Sequence, residues 1–477
     1  MAIVFVAGEP RETQHAVDVR APWDGAHLGS VGQADEALAD EALRRAAEAF
    51  SITARLPAHV RRDLLHAIAR GVNAQAEALA RTIAEEAGKP ITYARAEVAR
   101  AVLTFTLGAE EATRIHGEAL PLDQSTASEG ALALGLRVPA GVVLAITPFN
   151  FPLNLVAHKL APAFAAGAPV VLKPAPQTPL TALALAAIVR DACDRTGVPR
   201  ALLSVIPCPV PVAERLVADP RPAVLSFTGS AAVGWSLRAK AGRKKVLLEL
   251  GGNAAAIVCA DADVDHALAR IIPGAYAYAG QVCIKVQRVF VHESIAPRFF
   301  DALAARTAET AVRDPLDDAT VCGPMIDGRS AERVRAWLDE AIGMGARVRV
   351  GGAQQGNRLV PAVVEDAWPG MKVVDEEVFG PVLTAHPFAD LDVAIAQVNS
   401  GRYGLQAGIF TRDLDAISRA FRGLDVGGLI VGDAPTFRAD AMPYGGVKDS
   451  GAGREGVRFA IEEMTERRTL VFRRFLG

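Results

Sequence analysis

Cysteine is scarce in this sequence, and the five that occur form no pattern. They are Cys193, Cys208, Cys259, Cys283 and Cys322. Their number is odd and none lies in a CxxC or Cys/His cluster, which argues against a disulfide framework and against a metal site. Each cysteine is therefore interpreted alone. Cys283, in AGQVCIKVQR, follows a glycine and has polar neighbours, so a small core residue and a nucleophile stay open as alternatives.

The sequence also lacks an excess of one charge and a long hydrophobic run. The formal net charge is −3, with acidic and basic residues interspersed. No basic stripe indicates a nucleic-acid partner. No apolar run reaches the length that spans a membrane, and the first residues lack the basic and apolar regions of a signal peptide. We expect a soluble, cytoplasmic protein that binds neither membranes nor nucleic acids.

The order of the hydrophobic patterns predicts an α/β protein of two or three domains, because 477 residues exceed one ordinary core. Residues 34–115 carry apolar positions at helical spacing, whereas 117–139 alternate like a polar β-ribbon. From 140 to 258, short Val/Leu/Ile runs alternate with helical stretches, which is typical of a parallel sheet. A second such set follows. The last segment, TERRTLVFRRFLG, alternates charged and apolar residues like an edge strand.

Two glycine motifs are candidates for phosphate binding. The literal GxGxxG at Gly451, Gly453 and Gly456 is followed by too little chain for a βαβ crossover, so we interpret it as a chance match. FTGSAAVG, residues 227–234, is the better candidate. A buried strand ends there, Gly229 permits close backbone approach, and Ser230 is placed to cap a helix whose free N–H groups would face a pyrophosphate.

Five motifs occur together in one order: TPFNFP (147–152), VLKPA (171–175), LELGG (248–252), GQVC (280–283) and EEVFGP (376–381). With them the chain closely resembles the NAD(P)-dependent aldehyde dehydrogenase superfamily, from about residue 15 to the C-terminus. The resemblance implies an aldehyde dehydrogenase-like α/β fold with three parts. These are a Rossmann-type cofactor domain (1–116 and 140–251), an α/β catalytic domain (252–448) and a small β oligomerisation module (117–139 and 457–477). It also implies a homodimer or homotetramer.

The resemblance implies three catalytic residues. Cys283 is the nucleophile that forms a thiohemiacetal and then a thioester, Asn150 stabilises the oxyanion, and Glu249 activates the water that hydrolyses the thioester. A thiolate is needed because an aldehyde carbonyl has no hydride ready to leave. Taken singly, Glu249 is better interpreted as a structural partner of an arginine and Asn150 as a helix cap, but their occurrence together with Cys283 in the family's order favours catalysis.

The cofactor expected from the resemblance is NAD or NADP. Lys173 matches the lysine that binds the adenosine ribose, Glu377 the acid that holds the nicotinamide ribose, and Phe379 the ring beside it. The other residues assigned to this site are Ile146, Thr147, Gly229 and Ser230. Pro176 stands where many NAD-preferring members have a glutamate that repels a 2′-phosphate, so the preference stays open.

CIKVQR and APTFRADAMPYGGVKDSG (434–451) resemble the branch of lactaldehyde, non-phosphorylating glyceraldehyde-phosphate and phosphonoacetaldehyde dehydrogenases. Members of that branch act on short, polar, often anionic aldehydes. We therefore expect an anion-binding pocket, and its candidate residues are Arg100, His158, Lys285 and Arg438. The alternative is that Arg100 and Arg438 form salt bridges and that Lys285 is solvated.

Two other functions compete with hydrolytic aldehyde oxidation. In a CoA-acylating semialdehyde dehydrogenase, CoA instead of water takes the acyl group, and such enzymes generally lack the glutamate base that Glu249 matches. A catalytically silent structural homologue would keep the fold and tend to lose the nucleophile or the base. The presence of Cys283, Glu249, Asn150 and Lys173 favours an active hydrolytic enzyme.

Overall fold

The computed structural model describes residues 2–474, so residue 1 and residues 475–477 of the predicted domain ranges lie outside the described residues. Its α-helices, α1 to α15 in chain order, are Glu36–Thr53, Ala58–Ala74, Ala76–Ala87, Ile91–Ala112, Asn154–Ala166, Pro179–Thr196, Val210–Ala218, Ala231–Lys240, Val264–Tyr276, Ala296–Glu309, Gly328–Gly343, Lys372–Asp375, Leu391–Asn399, Leu414–Gly423 and Val457–Glu463. Within residues 2–474, no helix combines the length and the hydrophobicity that crossing a membrane requires.

The strands, β1 to β24 in chain order, are Ile3–Val6, Glu9–Glu12, His15–Arg20, His27–Gln33, Glu118–Pro121, Leu132–Pro139, Val142–Ile146, Val170–Lys173, Leu203–Val205, Pro222–Thr228, Lys245–Glu249, Ala255–Val258, Arg288–His292, Arg347–Val350, Gln354–Gln355, Arg358–Leu359, Ala362–Glu365, Val382–Phe388, Tyr403–Gly404, Gln406–Phe410, Gly428–Val431, Val447–Lys448, Gly451–Ala452 and Thr465–Phe472. The predicted helices of 34–115 and the predicted ribbon of 117–139 are confirmed as α1–α4 and β5–β6.

The first sheet has the order β2-β1-β9-β8-β7-β10-β11-β23, and its central strands β9 to β11 run parallel. Strand β7 shows why its sequence is apolar throughout. Val143 and Ala145 pack into a core with helices α2, α4 and α6, whereas Val142, Leu144 and Ile146 pack on the opposite face with α1 and α7. A strand covered by helices on both faces must be hydrophobic at every position.

The second sheet has the order β14-β17-β18-β13-β12-β20-β21 and is parallel except for the β14–β17 pair. All of its strands come from residues 347–431 or 255–292, which follow the first sheet in the chain. The predicted second α/β set is therefore confirmed. The residues that line the cavity described below follow the carboxyl ends of strands in the first sheet and precede the amino ends of strands in the second sheet.

A third sheet consists of β24, β6 and β5, all antiparallel. Strand β24 pairs with β6 over eight residues, from Thr465↔Pro139 to Phe472↔Leu132. Beyond Thr465 all of its residues are exposed. The edge strand expected from the alternating C-terminal segment is confirmed. Its pairing with the 117–139 ribbon joins the two stretches that were assigned to one module, while the domain boundaries stay a prediction.

The sequence analysis assigned no elements before residue 34, where the structure has four strands. Strands β1 and β2 form a hairpin whose two turn residues, Ala7 and Gly8, both have positive φ (54° and 76°). Such turns suit the twist of a hairpin, and glycine adopts them without strain. Strand β1 then pairs with β9 through Phe5 and Val205. Phe5 and Val205 are far apart in the sequence, so no local sequence pattern predicts their pairing.

Candidate active site

One cavity of about 460 Å³ gathers half of the predicted site residues. It lies at the carboxyl ends of parallel strands, where α/β proteins commonly bind ligands. Seven predicted residues line it: Asn150, Gly229, Ser230, Glu249, Cys283, Glu377 and Phe379. The predicted residues outside its lining are Ile146, Thr147, Lys173 and the four candidate cations Arg100, His158, Lys285 and Arg438.

A strained loop places the cysteine. Tyr278, Ala279 and Gly280 have consecutive positive φ angles of 55°, 54° and 66°. Two of these are not glycine, and such residues cost about 1–3 kcal/mol each unless the surroundings hold them. The buried side chain of Gln281 helps to hold them, since its Nε2 donates to the Tyr278 carbonyl at 3.3 Å. The loop thus presents Cys283 to the cavity in a fixed position.

The thiol of Cys283 lies 3.1 Å from the hydroxyl of Tyr444. Burial is the main cause that raises the pKa of the thiol to about 11; the Tyr444 hydrogen bond and Arg438 act against it, and the Glu377 and Glu249 carboxyls act with it. The resting group is therefore a neutral thiol. The sequence analysis missed Tyr444, because an aromatic residue before a Gly-Gly pair carries no recognisable signal.

The amide of Asn150 donates through Nδ2 to the main-chain oxygen of Gln281 at 2.9 Å. Asn150 is buried and follows strand β7. It does not cap the next helix, since the Glu97 carboxylate accepts from the N–H groups of Leu153 and Asn154 at the start of α5. The helix-cap interpretation of Asn150 is therefore wrong, and its amide lies in the same cavity wall as Cys283.

Glu249 is the last residue of β11, between Thr228 of β10 and Gly451 of β23. Its carboxyl is buried, and among the described residues Oε2 has no hydrogen-bond partner. Burial raises the pKa of Glu249 well above its usual range, and Glu455 raises it further against the opposing effect of Arg438 and neighbouring cations. The residue forms no ion pair within residues 2–474, so the interpretation of Glu249 as a structural partner of an arginine is wrong.

Behind Glu249 lies a buried charge cluster, defined here as Arg100, His158, Lys159, Arg438, Asp440 and Glu455. Lys159 Nζ contacts Glu455 Oε1 at 3.2 Å, and Arg438 Nη2 contacts Glu455 Oε2 at 3.2 Å. Burial opposes the ionisation of Glu455, but Lys159, Arg438 and His158 outweigh it and hold its pKa at about 2. Glu455 is therefore a carboxylate at neutral pH.

Asp440 holds the other two predicted cations of the cluster. It accepts from Arg100 Nη2 at 2.6 Å and lies 2.8 Å from His158 Nε2. Burial acts against its ionisation, yet these hydrogen bonds keep the pKa of Asp440 below its usual range. Burial and Arg438 lower the pKa of His158. The salt-bridge interpretation describes Arg100 and Arg438 correctly, although the Arg100 side chain stays 29% exposed.

Lys285 is buried, and its ammonium donates to the main-chain oxygen of Val382 at 2.5 Å. Burial lowers the pKa of Lys285 to about 7, against the opposing attraction of Glu377. The interpretation of a solvated lysine is wrong. Because the side chain lies outside the cavity lining, the structure also does not support its assignment as a residue that meets the substrate.

The start of α8 forms a cradle for an anion. Ser230 occupies the N-cap position and is exposed, but its side chain makes no capping hydrogen bond, which leaves the first N–H groups of the helix open. A Cβ at Gly229 would meet the ring of Phe227, so glycine is required there. Both residues line the cavity. Open N–H groups at a helix N-terminus suit a pyrophosphate.

Glu377 and Phe379 form another part of the cavity wall. Glu377 Oε1 accepts from the N–H of Gly252 at 3.1 Å, and burial raises its pKa to about 7 against the effect of that hydrogen bond. A side chain at Gly251 would collide with the same carboxyl. Phe379 has a positive φ of 45°, and its ring packs edge-on against Phe149 at 5.9 Å. This wall can receive a ribose and a flat ring.

Lys173 and Ile146 are paired residues at the ends of strands β8 and β7. Thr147 follows, and its N–H donates to the Lys173 carbonyl at 3.2 Å. Lys173 Nζ donates to the Pro174 carbonyl at 3.3 Å, and Pro176 is exposed beyond it. These residues adjoin Pro148, which lines the cavity. The lining residues that were not predicted include the charged residues Arg333, Glu376 and Arg402 and the aromatic Tyr403.

The glycines of the literal GxGxxG motif are explained by backbone packing. Gly451 pairs with Glu249, and a Cβ there would strike the carbonyl of Leu248. A Cβ at Gly456 would strike the carbonyl of Met442. The motif therefore closes the sheet beside Glu249. Among residues 2–474, no group of three or more His, Cys, Asp or Glu side chains is arranged to hold a metal ion.

The chain is similar to known proteins over nearly its whole length. The model of the aldehyde dehydrogenase family matches residues 9–470. The chain is 42% identical over 469 residues to 3-sulfolactaldehyde dehydrogenase of Priestia aryabhattai, covering 98% of this chain and 97% of the relative.

Two solved structures are similar throughout. Aldehyde dehydrogenase 21 of Physcomitrella patens, in complex with its reaction product succinate, has a TM-score of 0.97 and 38% identity, covering 100% of this chain and 98% of the other. Glyceraldehyde-3-phosphate dehydrogenase GapN of Methanocaldococcus jannaschii, complexed with NADP, has a TM-score of 0.92 and 36% identity, covering 96% and 99%. The chain belongs to the aldehyde dehydrogenase family, which confirms the expected fold and the expected NAD(P)-dependent aldehyde-oxidising enzyme.

Proposed function

We propose that this enzyme oxidises a short, anionic aldehyde to its carboxylic acid, with Cys283 as nucleophile, Asn150 as oxyanion donor and Glu249 as base. The observation that carries the proposal is the convergence of these three side chains on one cavity. The three side chains come from separate segments of the chain. Asn150, for example, contacts Gln281, which lies 131 residues away in sequence and shortly before Cys283. No helix cap and no ion pair accounts for the positions of Asn150 and Glu249, so a structural role does not explain why they meet in this cavity.

The cofactor-binding residues proposed are Lys173, Gly229, Ser230, Glu377 and Phe379, with Ile146 and Thr147 at the strand ends. The open N-terminus of α8 suits the pyrophosphate, and the Glu377 carboxyl suits ribose hydroxyls. NAD(P)+ bound there supplies the hydride acceptor that turns a thiohemiacetal into a thioester. Pro176 has no charge to repel a 2′-phosphate, which supports the use of NADP as well as NAD.

The first chemical event is attack by sulfur. Cys283 gives its thiol proton to solvent water, its sulfur bonds to the carbonyl carbon, and the carbonyl oxygen takes the π-electron pair as an oxyanion. The Asn150 amide and the Cys283 N–H are the donors that stabilise this charge. Removing one such donor costs about 3 kcal/mol of transition-state stabilisation, roughly a hundredfold in rate.

The second event is hydrolysis of the thioester. Glu249 takes a proton from water, the hydroxyl oxygen bonds to the acyl carbon, and the C–S bond breaks to return Cys283 and release the acid. A base for this step needs a pKa near the working pH, and burial moves the pKa of Glu249 in that direction. The presence of this base favours hydrolysis over transfer to CoA.

The buried charge cluster supports an anionic substrate. Arg100, Lys159 and Arg438 carry three positive charges against two on Asp440 and Glu455, because His158 is kept neutral by its lowered pKa. One positive charge is therefore in excess beside the base. The similar proteins named above act on sulfolactaldehyde or glyceraldehyde 3-phosphate or hold succinate, and all three molecules are anionic.

The test is the rate of NAD(P)H formation with a panel of short aldehydes of similar length, either neutral or bearing a sulfonate, phosphate or carboxylate. We expect a higher kcat/KM for the anionic members, no requirement for CoA, and loss of activity in Cys283→Ala. Equal rates for neutral and anionic aldehydes would contradict the substrate class. A requirement for CoA, or full activity in Cys283→Ala, would contradict the reaction.

We further propose a cytoplasmic homo-oligomer, either a dimer or a tetramer. All five cysteines are free, which suits a reducing compartment. The exposed strand β24 supports assembly, because Leu470 and Val471 remain 49% and 46% exposed on the edge of a sheet.

A further inference from the structure

The hydroxyl of Tyr444 has one hydrogen-bond partner among the described residues, the sulfur of Cys283 at 3.1 Å. Tyr444 is 96% buried, with 4% of its surface exposed. Its ring packs with Val282, Cys283 and Ile284 on one side of the loop that carries the thiol. A buried tyrosine hydroxyl normally finds a partner, and here that partner is the reacting atom.

Three contacts fix the position of this hydroxyl. The main chain of Tyr444 exchanges two hydrogen bonds with Glu455, with N–O distances of 3.0 and 2.7 Å. The guanidinium of Arg438 stacks 3.7 Å above the ring centroid and also pairs with Glu455. The ring therefore cannot swing away from the sulfur without losing its stacking on Arg438. A donor held this firmly costs no reorganisation when charge develops on its partner.

The direction of the hydrogen bond follows from the chemistry of the two groups. A thiolate has no proton, so only the phenol can donate once Cys283 is ionised. Burial, together with the negative charge of the thiolate, raises the pKa of Tyr444 well above its usual range. Tyr444 therefore keeps its proton on Oη, forms no covalent bond and breaks none, and acts only as a hydrogen-bond donor.

We propose that Tyr444 is a further catalytic residue of this enzyme, whose hydroxyl donates a hydrogen bond to the Cys283 thiolate and stabilises the nucleophile before it attacks the aldehyde. The catalytic part of this inference rests on the function proposed above. The hydrogen bond also explains how a buried thiol between two acids, Glu249 and Glu377, is ionised at all, since Arg438 and Tyr444 are the groups that favour its charged form.

The test is alkylation of Cys283 by iodoacetamide in the enzyme without aldehyde or cofactor, followed by mass spectrometry of the Cys283 peptide. In Tyr444→Phe the ring, its stacking on Arg438 and the charges of Glu249 and Glu377 all remain, and only the hydroxyl is lost. Because the rate at a given pH is proportional to the thiolate fraction, we expect alkylation at pH 8 to slow about tenfold, which is a rise of about one unit in thiol pKa.

Tyr403→Phe is the matched control. Tyr403 lines the same cavity, but its hydroxyl contacts Glu376 Oε2 at 3.4 Å. Its removal should leave the alkylation rate within about twofold. Thermal unfolding of both variants shows whether they are folded.

An unchanged alkylation rate in folded Tyr444→Phe would overturn the inference. A faster rate would overturn it too, because it would mean that the thiol donates to the phenol oxygen and that the contact favours the neutral form. If alkylation slows while Cys283→Ala keeps its dehydrogenase activity, the hydrogen bond stands and the proposed function falls. If alkylation slows and kcat/KM for aldehyde falls about tenfold, both stand.

Discussion

The chemistry of the site depends on which carboxyl groups are ionised. Glu249 and Glu455 lie in one buried region and influence each other, yet their pKa values shift in opposite directions. Glu455 contacts both Lys159 and Arg438, which lower its pKa, whereas Glu249 Oε2 has no hydrogen-bond partner among residues 2–474 and burial raises the pKa of Glu249. The two environments thus give the two carboxyls different roles: Glu455 is a structural anion, and Glu249 is the proposed base.

Replacing the base should separate the two chemical events. In Glu249→Gln, sulfur can still attack and the thioester can still form, but no carboxylate activates water. We expect a burst of about one NAD(P)H per active site and a steady-state rate reduced on the order of 10²-fold. Stopped-flow absorbance at 340 nm measures both. Asn150→Ala should instead lose the burst itself, and a Glu249→Gln enzyme with normal steady-state turnover would contradict the assignment.

The wild-type pH profile should reflect the raised pKa of Glu249. Because the group holds its proton above the usual range near 4.5, the basic form grows as the pH rises and the hydrolysis rate should keep increasing beyond that range. The burst rate of Glu249→Gln reports the thiol alone and serves as the comparison. A wild-type hydrolysis rate already constant from pH 5.5 upward would contradict the assignment.

Sequence reasoning found Cys283, Asn150 and Glu249 because each lies in a recognisable motif at a strand end or a Gly-rich loop. It missed Tyr444, which reaches the site from 161 residues further along the chain. It also assigned Lys285 to the substrate, although the side chain is buried against Val382. Which way a side chain points depends on packing between distant segments, and no local spacing encodes it.

At the scale of single elements, hydrophobic patterns predicted the helices α1–α4 and the parallel strands well. They failed for β1–β4 at the start of the chain. Strands β1 and β2 have four residues each, β2 is fully exposed, β1 is held by a distant partner, and β3 has a single buried residue. A strand of four residues without burial on both faces has too few apolar positions to show a period.

The junction between β10 and α8 is the element on which cofactor binding should depend most. In Gly229→Ala the new Cβ would collide with the Phe227 ring, so the turn must move. The open N–H groups of α8 would then no longer be in position for the cofactor. We expect at least a tenfold weaker binding of NADP, measured by calorimetry. Gly343→Ala is the matched control, since Gly343, like Gly229, has no positive φ, and a Cβ there meets nothing within 4 Å. Equal cofactor affinity in Gly229→Ala and the wild type would contradict the role of this turn.

At the scale of the whole molecule, the third sheet keeps several large apolar side chains exposed. Strand β24 presents Leu470 and Val471 to solvent, and neighbouring β6 presents Leu136, which is 50% exposed. Apolar side chains grouped on a sheet edge are typical of a contact with another subunit. The alternation of charged and apolar residues was enough to predict this exposed edge strand. It does not predict the number of subunits, which depends on other surfaces.

A charge on that edge should disrupt the proposed oligomer. In Leu470→Glu, a carboxylate would be buried without a partner in the contact, so we expect a lower mass in solution by light scattering after size-exclusion chromatography. Leu414→Glu is the control, because Leu414 is 79% exposed on α14, a different surface. The same mass for Leu470→Glu and the wild type would contradict a contact through this edge.

The wide spacing of the site residues along the chain has a consequence for folding. The contacts that complete the site join residues 161, 282 and 296 positions apart, in the pairs Cys283–Tyr444, His158–Asp440 and Lys159–Glu455. Contacts across such long loops form slowly, because the entropy of closing the loop is lost before they become stabilising. During refolding the helices should therefore appear before the activity does, and the thiol stays open to oxidants in that interval. A reducing environment protects this enzyme chiefly while it folds.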